Sequence, residues 1–397
     1  MKNPFVTNGY VSPEYFCDRE KETAKIVSLL TNENNIALIS PRRLGKTDLL
    51  RHCFGQPEIK EHYHTFIIDI YATSSVRDFV NVFGKAVLDE LRPKGKSVWG
   101  TFLNVLASLR SEITFDMNGQ PTWGIGLGAI TNPSATLDEI FSYLNNAGKP
   151  CLIAIDEFQQ ITKYADDPNI EAALRTHIQR CSNAHFVFSG SHRHLMGAMF
   201  TSPARPFYQS VTLINLPPIS VDKYAEFCLR HFERASKHLD TLVVTELYER
   251  FNGITSYMQK VMNILFSMTG TGEICIPSMI DTAINDLLDF SADTYDALLY
   301  QMPEKQRIVF MAIAAEGKAK AISSGDFVRK YKLQSASYMI SSSNFGCKGI
   351  SFNGFFLESY IHSINNLEMS RDAAGFAKYN YKTKVNTFNM VPTDKML

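Results

Sequence analysis

Short apolar runs alternate with amphipathic stretches along the first half of the chain. Five of these runs have the length and composition of buried parallel strands, and they occupy residues 35–40, 65–72, 151–158, 184–191 and 211–220. Apolar positions at helical spacing predict helices over residues 76–91, 136–145 and 170–181. An earlier helix is predicted to begin after Asp18, a residue type that caps helix N-termini, and another runs through Leu49 and Leu50. Strands that alternate with helices predict an α/β fold with a parallel, three-layer sheet.

The pattern changes after Pro217 and Pro218, where helical periodicity replaces the alternation. Three helices are predicted over residues 221–238, 241–251 and 255–268. Two more, over 304–317 and 323–333, have the length and spacing of a helix-turn-helix unit. After residue 335 the chain is rich in serine and glycine where a recognition helix and wing would lie, and the last thirty or so residues show no clear period.

Four regions follow from these patterns. We predict a core over 1–216, a small helical domain over 217–290, a winged-helix-like domain over 291–365 and a C-terminal tail over 366–397.

A glycine-rich stretch over residues 113–130 interrupts the alternation of the core. It predicts a hairpin that turns at Asn118-Gly119. Its Gly-x-Gly-x-Gly neither closes a strand-to-helix unit nor completes the dinucleotide fingerprint, so a glycine-rich loop is the favoured interpretation.

The segment "LISPRRLGKTDLL" (38–50) lies between a predicted strand and a predicted helix, as a phosphate-binding loop does. Serine occupies the position of the first glycine in G-x-x-x-x-G-K-[ST], and the following proline favours an extended conformation that serine adopts without strain. The predicted nucleotide-binding residues of this loop are Ser40, Pro41, Arg42, Arg43, Leu44, Gly45, Lys46, Thr47 and Asp48. Backbone N–H groups and the helix N-terminus would bind phosphate oxygens. Lys46 would reach the β and γ phosphates as a catalytic residue, and the Thr47 hydroxyl would ligate Mg²⁺.

A second motif supports this interpretation. The apolar run "CLIAIDEF" ends in Asp156-Glu157, the Walker B pattern. Asp156 would hold Mg²⁺ directly or through water, and Glu157 would act as the general base that polarises the attacking water. A structural role for Glu157 is the alternative.

Other polar residues give weaker signals. Ser191 ends the strand after Walker B, where it would either sense the γ-phosphate or cap the strand. Arg205 is a candidate to stabilise transition-state charge, in cis or from a neighbouring molecule, and a solvated arginine is the alternative. Three further arginines are candidates of the same kind: Arg175, Arg180 and Arg193. His192 and His194 lack carboxylate or thiol partners at ligand spacing, so a surface loop is favoured over a metal pair.

Composition narrows the class of protein. The 397 residues are 45% hydrophobic and 20% charged, which is typical of an ordinary globular protein. Forty basic and forty acidic residues cancel, so no global field favours nucleic acid or an anionic membrane. Seven cysteines without a C-x-x-C pair fit a reducing compartment. Without a signal peptide or a long apolar run, the sequence predicts a cytoplasmic protein that does not enter the membrane.

The motifs together resemble the archaeal-type ATPases, a branch close to the STAND class of P-loop NTPases within the wider AAA+-like group. The segments that carry the resemblance are "DREKE" (18–22), "PRRLGKT" (41–47), "IDEFQ" (155–159), "SGS" (189–191) and "SPARPFY" (202–208). The resemblance covers roughly residues 5–335. It implies an ATPase core, a helical lid, a C-terminal winged helix, and ATP or ADP bound with Mg²⁺ through Lys46, Thr47, Asp156 and Glu157. It does not imply a substrate.

Three functions remain open from the sequence. The first is a molecular switch that hydrolyses ATP slowly and acts on an unidentified protein partner, as a monomer or an oligomer. The second is an ATP-controlled DNA-binding protein similar to origin-recognition initiators, for which Arg329, Lys330 and Lys332 form the notable basic cluster; a solvated helix end is the alternative explanation of these three residues. The third is a scaffold that holds nucleotide without hydrolysis.

Overall fold

The structure, a computed structural model, describes residues 2–91, 113–115, 121–123, 132–316, 325–333, 369–371, 377–379 and 388–389. The chain divides into two compact units. The first comprises Met1–Asn263 with Thr271–Glu273, and the second comprises Ile264–Gly270 with Ile274–Leu397. The finer division into four domains stays a prediction.

The strands of the first unit are β1 (Ile36–Ile39), β2 (His64–Asp69), β3 (Ile113–Phe115), β4 (Pro121–Trp123), β5 (Cys151–Asp156), β6 (Ala184–Gly190), β7 (Thr212–Asn215) and β8 (His238–Leu239). Five of them form a parallel sheet in the order β2-β5-β6-β1-β7, so the first strand lies inside the sheet and β6 separates it from β5. The predicted parallel sheet is confirmed.

The helices that begin in the first unit are α1 (Glu20–Thr31), α2 (Lys46–Phe54), α3 (Pro57–His62), α4 (Val76–Glu90), α5 (Pro133–Asn145), α6 (Ile170–Arg180), α7 (Arg193–Thr201), α8 (Val221–Arg234), α9 (Thr241–Phe251) and α10 (Thr255–Met268). A 3-10 helix, Phe158–Lys163, follows β5.

Two apolar cores cover the two faces of the parallel sheet, as alternation along a strand requires. On β1, Ile36 and Leu38 join the core that includes residues of α1, α2 and α3. Ala37 and Ile39 point to the opposite face and join the core with residues of α4, α5, α6 and α7. The domain therefore has the predicted three layers.

Two local predictions are wrong. Asp18 does not cap α1: the capping position is Arg19, and both residues adopt the left-handed conformation, with φ of 57° and 77°. The fully enclosed Arg19 side chain donates to Glu22 at 2.9 Å and to the carbonyl of Pro217 at 2.7 Å, so a tertiary contact decides how this helix begins. The helix predicted over 221–238 ends at Arg234, because the chain reverses at Ser236 (φ 54°) and enters β8.

The predicted hairpin is confirmed by antiparallel pairing of β3 with β4. Its turn at Asn118-Gly119 and the Gly-x-Gly-x-Gly segment lie outside the described residues.

The second unit contains β9 (Ile274–Cys275), α11 (Ile280–Gln301), α12 (Glu304–Glu316), α13 (Gly325–Lys330) and three short strands, β10 (Met369–Arg371), β11 (Ala377–Tyr379) and β12 (Phe388–Asn389). The last three strands form an antiparallel sheet. Val309 and Ala312 of α12 pack with Phe327 of α13 and with Leu333 in a small apolar core. The serine- and glycine-rich stretch after residue 335 lies outside the described residues.

Candidate nucleotide-binding site

The order of the strands brings the two predicted motifs to one edge of the sheet. The carboxyl ends of parallel strands meet at the same edge. Ile39, the last residue of β1, is in register with Gly190 at the end of β6, and Asp69 of β2 is in register with Asp156 at the end of β5. The phosphate-binding loop, the Walker B carboxylates and the end of β6 are therefore neighbours.

The loop that follows β1 leads directly into α2. Gly45 has φ of 82° and immediately precedes the helix, a conformation that glycine adopts without a steric penalty. Ser40 is fully buried, and its hydroxyl donates to the carbonyl of Pro41 at 3.0 Å. The serine that replaces the first glycine is thus accommodated inside the loop.

Lys46 is the first residue of α2, and only 7% of its surface is exposed. Its Nζ donates to the carbonyl oxygens of Ser40 at 3.2 Å and Pro41 at 3.3 Å. Burial lowers the pKa of Lys46, and the nearby Asp156 and Glu157 carboxylates oppose that effect. The ammonium group is thus held inside the loop next to the Walker B acids.

The hydroxyl of Thr47 donates to Oδ2 of Asp156 at 2.5 Å, which joins the two motifs across 109 residues of sequence. A hydroxyl and a carboxylate in direct contact are hard oxygen ligands of the kind that Mg²⁺ prefers. In the described part of the chain no three His, Cys, Asp or Glu side chains converge as a metal site. Mg²⁺ needs no such cage, since it commonly uses one or two protein ligands with water and phosphate oxygens. The pair therefore fits the ion.

Glu157 follows Asp156 in the left-handed conformation, with φ of 55°. Its Oε2 accepts a hydrogen bond from the Ser191 hydroxyl at 3.0 Å, and from the amide of Gln159. Ser191 in turn accepts from Nε of Arg42 at 3.2 Å. A continuous chain of polar contacts thus runs from the phosphate-binding loop through the end of β6 to the predicted general base.

Other predicted site residues have different surroundings. Arg43 donates to the hydroxyl of Tyr257 on α10, and Leu44 packs into the core beneath the loop. Asp48 accepts from Arg51 at 3.3 Å. These contacts stabilise the loop and its helix.

Arg205 forms an ion pair with Glu171 of α6. Arg205, which the sequence indicates as a candidate to stabilise transition-state charge, is thus paired with a carboxylate of its own chain. Its predicted role at the nucleotide stays a prediction.

Sequence reasoning assigned no role to Gln159 or Tyr257. Gln159 lies two residues after Glu157, within the segment that carries the family resemblance, so the sequence did contain a signal that it belongs to the site. Tyr257 had no such signal, because it lies 214 residues from the loop residue it contacts.

Three features together define a P-loop ATPase: the parallel β2-β5-β6-β1-β7 sheet, the glycine-lysine-threonine loop that leads from β1 into a helix, and the Asp-Glu pair at the end of β5, which β6 separates from β1. Residues 16–261 match the family model described as an ATPase domain predominantly from Archaea, and the chain belongs to this family. Residues 293–344 match a second family model, described as a probable winged helix domain. The expected family and fold class are therefore confirmed.

Solved structures share this fold. The Walker-type ATPase PABY2304 of Pyrococcus abyssi is 15% identical over 93% of this chain and 95% of its own, with a TM-score of 0.54. The Aeropyrum pernix ORC1 protein, solved in complex with DNA, is 13% identical over 93% of this chain and 90% of its own, with a TM-score of 0.51. The Aeropyrum pernix ORC2 protein, solved as ADPNP and ADP complexes, is 14% identical over 93% and 91%, with a TM-score of 0.50.

No curated protein matches the sequence. None of the helices in the described ranges combines the length and hydropathy that a membrane crossing requires.

Proposed function

We propose that this ATP-binding protein hydrolyses ATP with Mg²⁺ and acts as a nucleotide-driven molecular switch. The observation that carries the proposal is the direct contact between Thr47 and Asp156, because it brings the hydroxyl of one motif and the carboxylate of the other to a single point.

Each residue has a task in this proposal. Backbone N–H groups of residues 42–48 bind the phosphates, and Lys46 neutralises charge on the β and γ phosphoryl oxygens. Thr47 and Asp156 hold Mg²⁺, which supplies Lewis-acid neutralisation of phosphate charge when bound. Glu157 orients a water molecule and accepts its proton as the water attacks the γ-phosphorus and ADP leaves. Ser191 hydrogen-bonds both Arg42 of the loop and Glu157, so a change in the loop conformation on nucleotide binding alters the contact with Glu157.

A switch of this kind works by population shift. ATP stabilises one conformation of the protein more than ADP does, and hydrolysis reverses the preference. Slow turnover suits such a role, since the lifetime of the ATP state sets the duration of the signal to a protein partner.

The test is Mg²⁺-dependent ATP turnover by the full chain, measured with direct ATP binding. We expect Glu157→Gln to bind ATP but to lose about 100-fold or more in kcat, in line with the loss of a general base. Lys46→Ala should lose both binding and turnover. Glu58→Gln, an exposed carboxylate on α3, is the matched control.

Two outcomes would contradict the proposal. Glu157→Gln that hydrolyses ATP at the wild-type rate would exclude Glu157 as the base. Wild-type protein that retains nucleotide without turnover would favour the scaffold hypothesis.

A second function, ATP-controlled DNA binding, is favoured by the winged-helix family match over residues 293–344. Within that region α13 presents Arg329 and Lys330 in its last turn. Arg329 contacts Asp326 at 2.6 Å, and both side chains are strongly exposed. Exposed cations on a short helix suit contacts with DNA phosphates.

Fluorescence anisotropy with duplex DNA tests this function. We expect affinity to fall steeply between about 50 mM and 200 mM salt, as counterion release requires. Lys330→Ala should reduce the salt slope by about 1, and Lys223→Ala, an exposed lysine of the first unit, should not. Binding that is independent of salt and of Lys330 would contradict this function.

A further inference from the structure

Gln159 is a buried amide beside the proposed general base. It lies in the 3-10 helix that follows Glu157, and only 3% of its surface is exposed. Its Nε2 donates to Oε2 of Glu157. Its Oε1 is buried and has no hydrogen-bond partner among the described residues. Burial of an amide is unfavourable unless it is hydrogen-bonded, so the contact with Glu157 is what satisfies the donor end of this side chain.

The two oxygens of the Glu157 carboxylate differ in their surroundings. Oε2 accepts from both Gln159 and Ser191, whereas in the described part of the chain no hydrogen bond reaches Oε1. Two donors on one oxygen fix the orientation of the carboxylate and leave the other oxygen to accept a proton. A general base has to lie within hydrogen-bond reach of the proton it abstracts, so its orientation matters for catalysis.

Gly190 provides the space that Gln159 occupies. A Cβ added at Gly190 would lie 2.3 Å from Oε1 of Gln159 and 2.6 Å from the side chain of Met196. Any larger residue at the end of β6 would therefore displace the amide. This packing is independent of the hydrogen bond and explains why glycine, with no positive φ at this position, stands between two serines.

We propose that Gln159 is a positioning residue for ATP hydrolysis, which holds the Glu157 carboxylate by one oxygen from a pocket that Gly190 keeps open. The inference rests on the proposed function of Glu157 as general base. Gln159 touches neither nucleotide nor water in this role; it acts through Glu157.

The first experiment compares steady-state ATP hydrolysis by Gln159→Ala with that by Gln160→Ala. Gln160 is the adjacent residue, and its amide donates to the carbonyl of Thr73 at 2.8 Å instead. We expect Gln159→Ala to lower kcat by about 10-fold or more, as the loss of a hydrogen bond to a charged group implies, with KM changed by less than about two-fold. Gln160→Ala should keep the wild-type kcat.

A substitution that keeps the volume of the side chain separates positioning from simple packing. Gln159→Met has nearly the same size and shape, but it cannot donate a hydrogen bond to Oε2 of Glu157. We expect Gln159→Met to lose kcat as Gln159→Ala does, with KM changed by less than about two-fold. Wild-type kcat in Gln159→Met beside a lowered kcat in Gln159→Ala would show that Gln159 acts by packing alone and would overturn the proposal.

Two glycine-to-alanine variants test whether Gln159 needs the space beside Gly190. Gly190→Ala should reproduce the kcat loss of Gln159→Ala while ATP binding is retained. Gly197→Ala on α7, where an added Cβ meets no atom within 4 Å, should behave as wild type. If Gly190→Ala does not fold, the comparison of Gln159→Ala with Gln160→Ala decides the matter.

The outcomes separate the two proposals. A folded Gln159→Ala protein with wild-type kcat, beside an inactive Glu157→Gln, would overturn the role of Gln159 and leave the proposed function intact. If wild type does not hydrolyse ATP, the proposed function fails, and the role of Gln159 as part of it is overturned too. NMR of ¹⁵N-glutamine-labelled protein then tests the contact alone: the Gln159 side-chain amide signal should shift upfield in Glu157→Gln, and an unchanged signal would show that the contact is absent.

Discussion

The contact between Arg43 and Tyr257 predicts that a tyrosine 214 residues away in the sequence from the phosphate-binding loop controls nucleotide affinity. Arg43 holds a left-handed conformation (φ 70°), which is unfavourable by about 1–2 kcal/mol for a residue with a side chain. The Arg43 guanidinium donates a hydrogen bond to the Tyr257 hydroxyl and lies 5.1 Å from the centroid of the tyrosine ring. The backbone N–H of Ser256 donates to the carbonyl of Arg43 at 3.2 Å. Helix α10 therefore holds the loop in its strained form.

Tyr257→Phe removes the hydroxyl and keeps the ring. A hydrogen bond to a charged group contributes about 1.5–3 kcal/mol to stability. In the variant, water can hydrogen-bond the guanidinium and recover part of this free energy. If about 1.4 kcal/mol of loop stabilisation is lost, the binding-competent loop is less populated and ATP affinity falls by up to about 10-fold, the limit set by that free energy. Isothermal titration with a non-hydrolysable ATP analogue measures the change.

Tyr63→Phe is the control, since this half-buried hydroxyl has no hydrogen bond among the described residues. Arg43→Gly and Arg43→Ala isolate the strain, because both lose the tyrosine contact and only glycine tolerates the φ of Arg43 freely. Glycine should retain more affinity than alanine. Tyr257→Phe with wild-type affinity would refute the coupling, and equal affinities of the two Arg43 variants would refute the part played by strain.

Two further predictions concern stability. Burial lowers the pKa of His231 below that of an unfolded histidine, so the unfolded chain binds more protons and stability should fall as pH drops from about 7 to 5. Urea unfolding of His231→Phe should show a flatter pH dependence than wild type or the exposed-site control His194→Gln; an equal slope would contradict this. Gly253→Ala should lower the free energy of unfolding by about 1–3 kcal/mol more than Gly272→Ala does. Both glycines have positive φ, but only at Gly253 would an added Cβ lie 2.8 Å from the ring of Tyr248. Equal melting temperatures for these two variants would show that the ring moves aside.

Local patterns in the sequence were sufficient for most elements of the fold. Helices α9 and α10 begin and end where apolar periodicity and the Asn252-Gly253 break predict. Four of the five strands of the parallel sheet fall within the apolar runs, and β2 begins one residue before its run, at His64. Such features depend on residues three or four positions apart, or on a turn residue with its own conformational preference, and these are visible in a linear sequence.

Long-range contacts overrode local preference in several places. Asp18 has the chemistry of a helix cap, yet Arg19 takes the capping position of α1, where its guanidinium donates to the carbonyl of Pro217, 198 residues away in the sequence. The contact between Gly190 and Gln159 could not be predicted either, because Gly190 ends β6 whereas Gln159 lies in the 3-10 helix that follows β5.

The sequence by itself determined which residues could serve a nucleotide: a glycine-lysine-threonine loop after a strand, and an acid pair after another. Only the tertiary structure decided which of them meet. Strand β6 lies between β1 and β5, and this order places Ser191 between Arg42 and Glu157. Strand order follows from the packing of whole helices on both faces of the sheet. No local spacing records it, because periodicity reports only which face of an element is buried and not which element covers it.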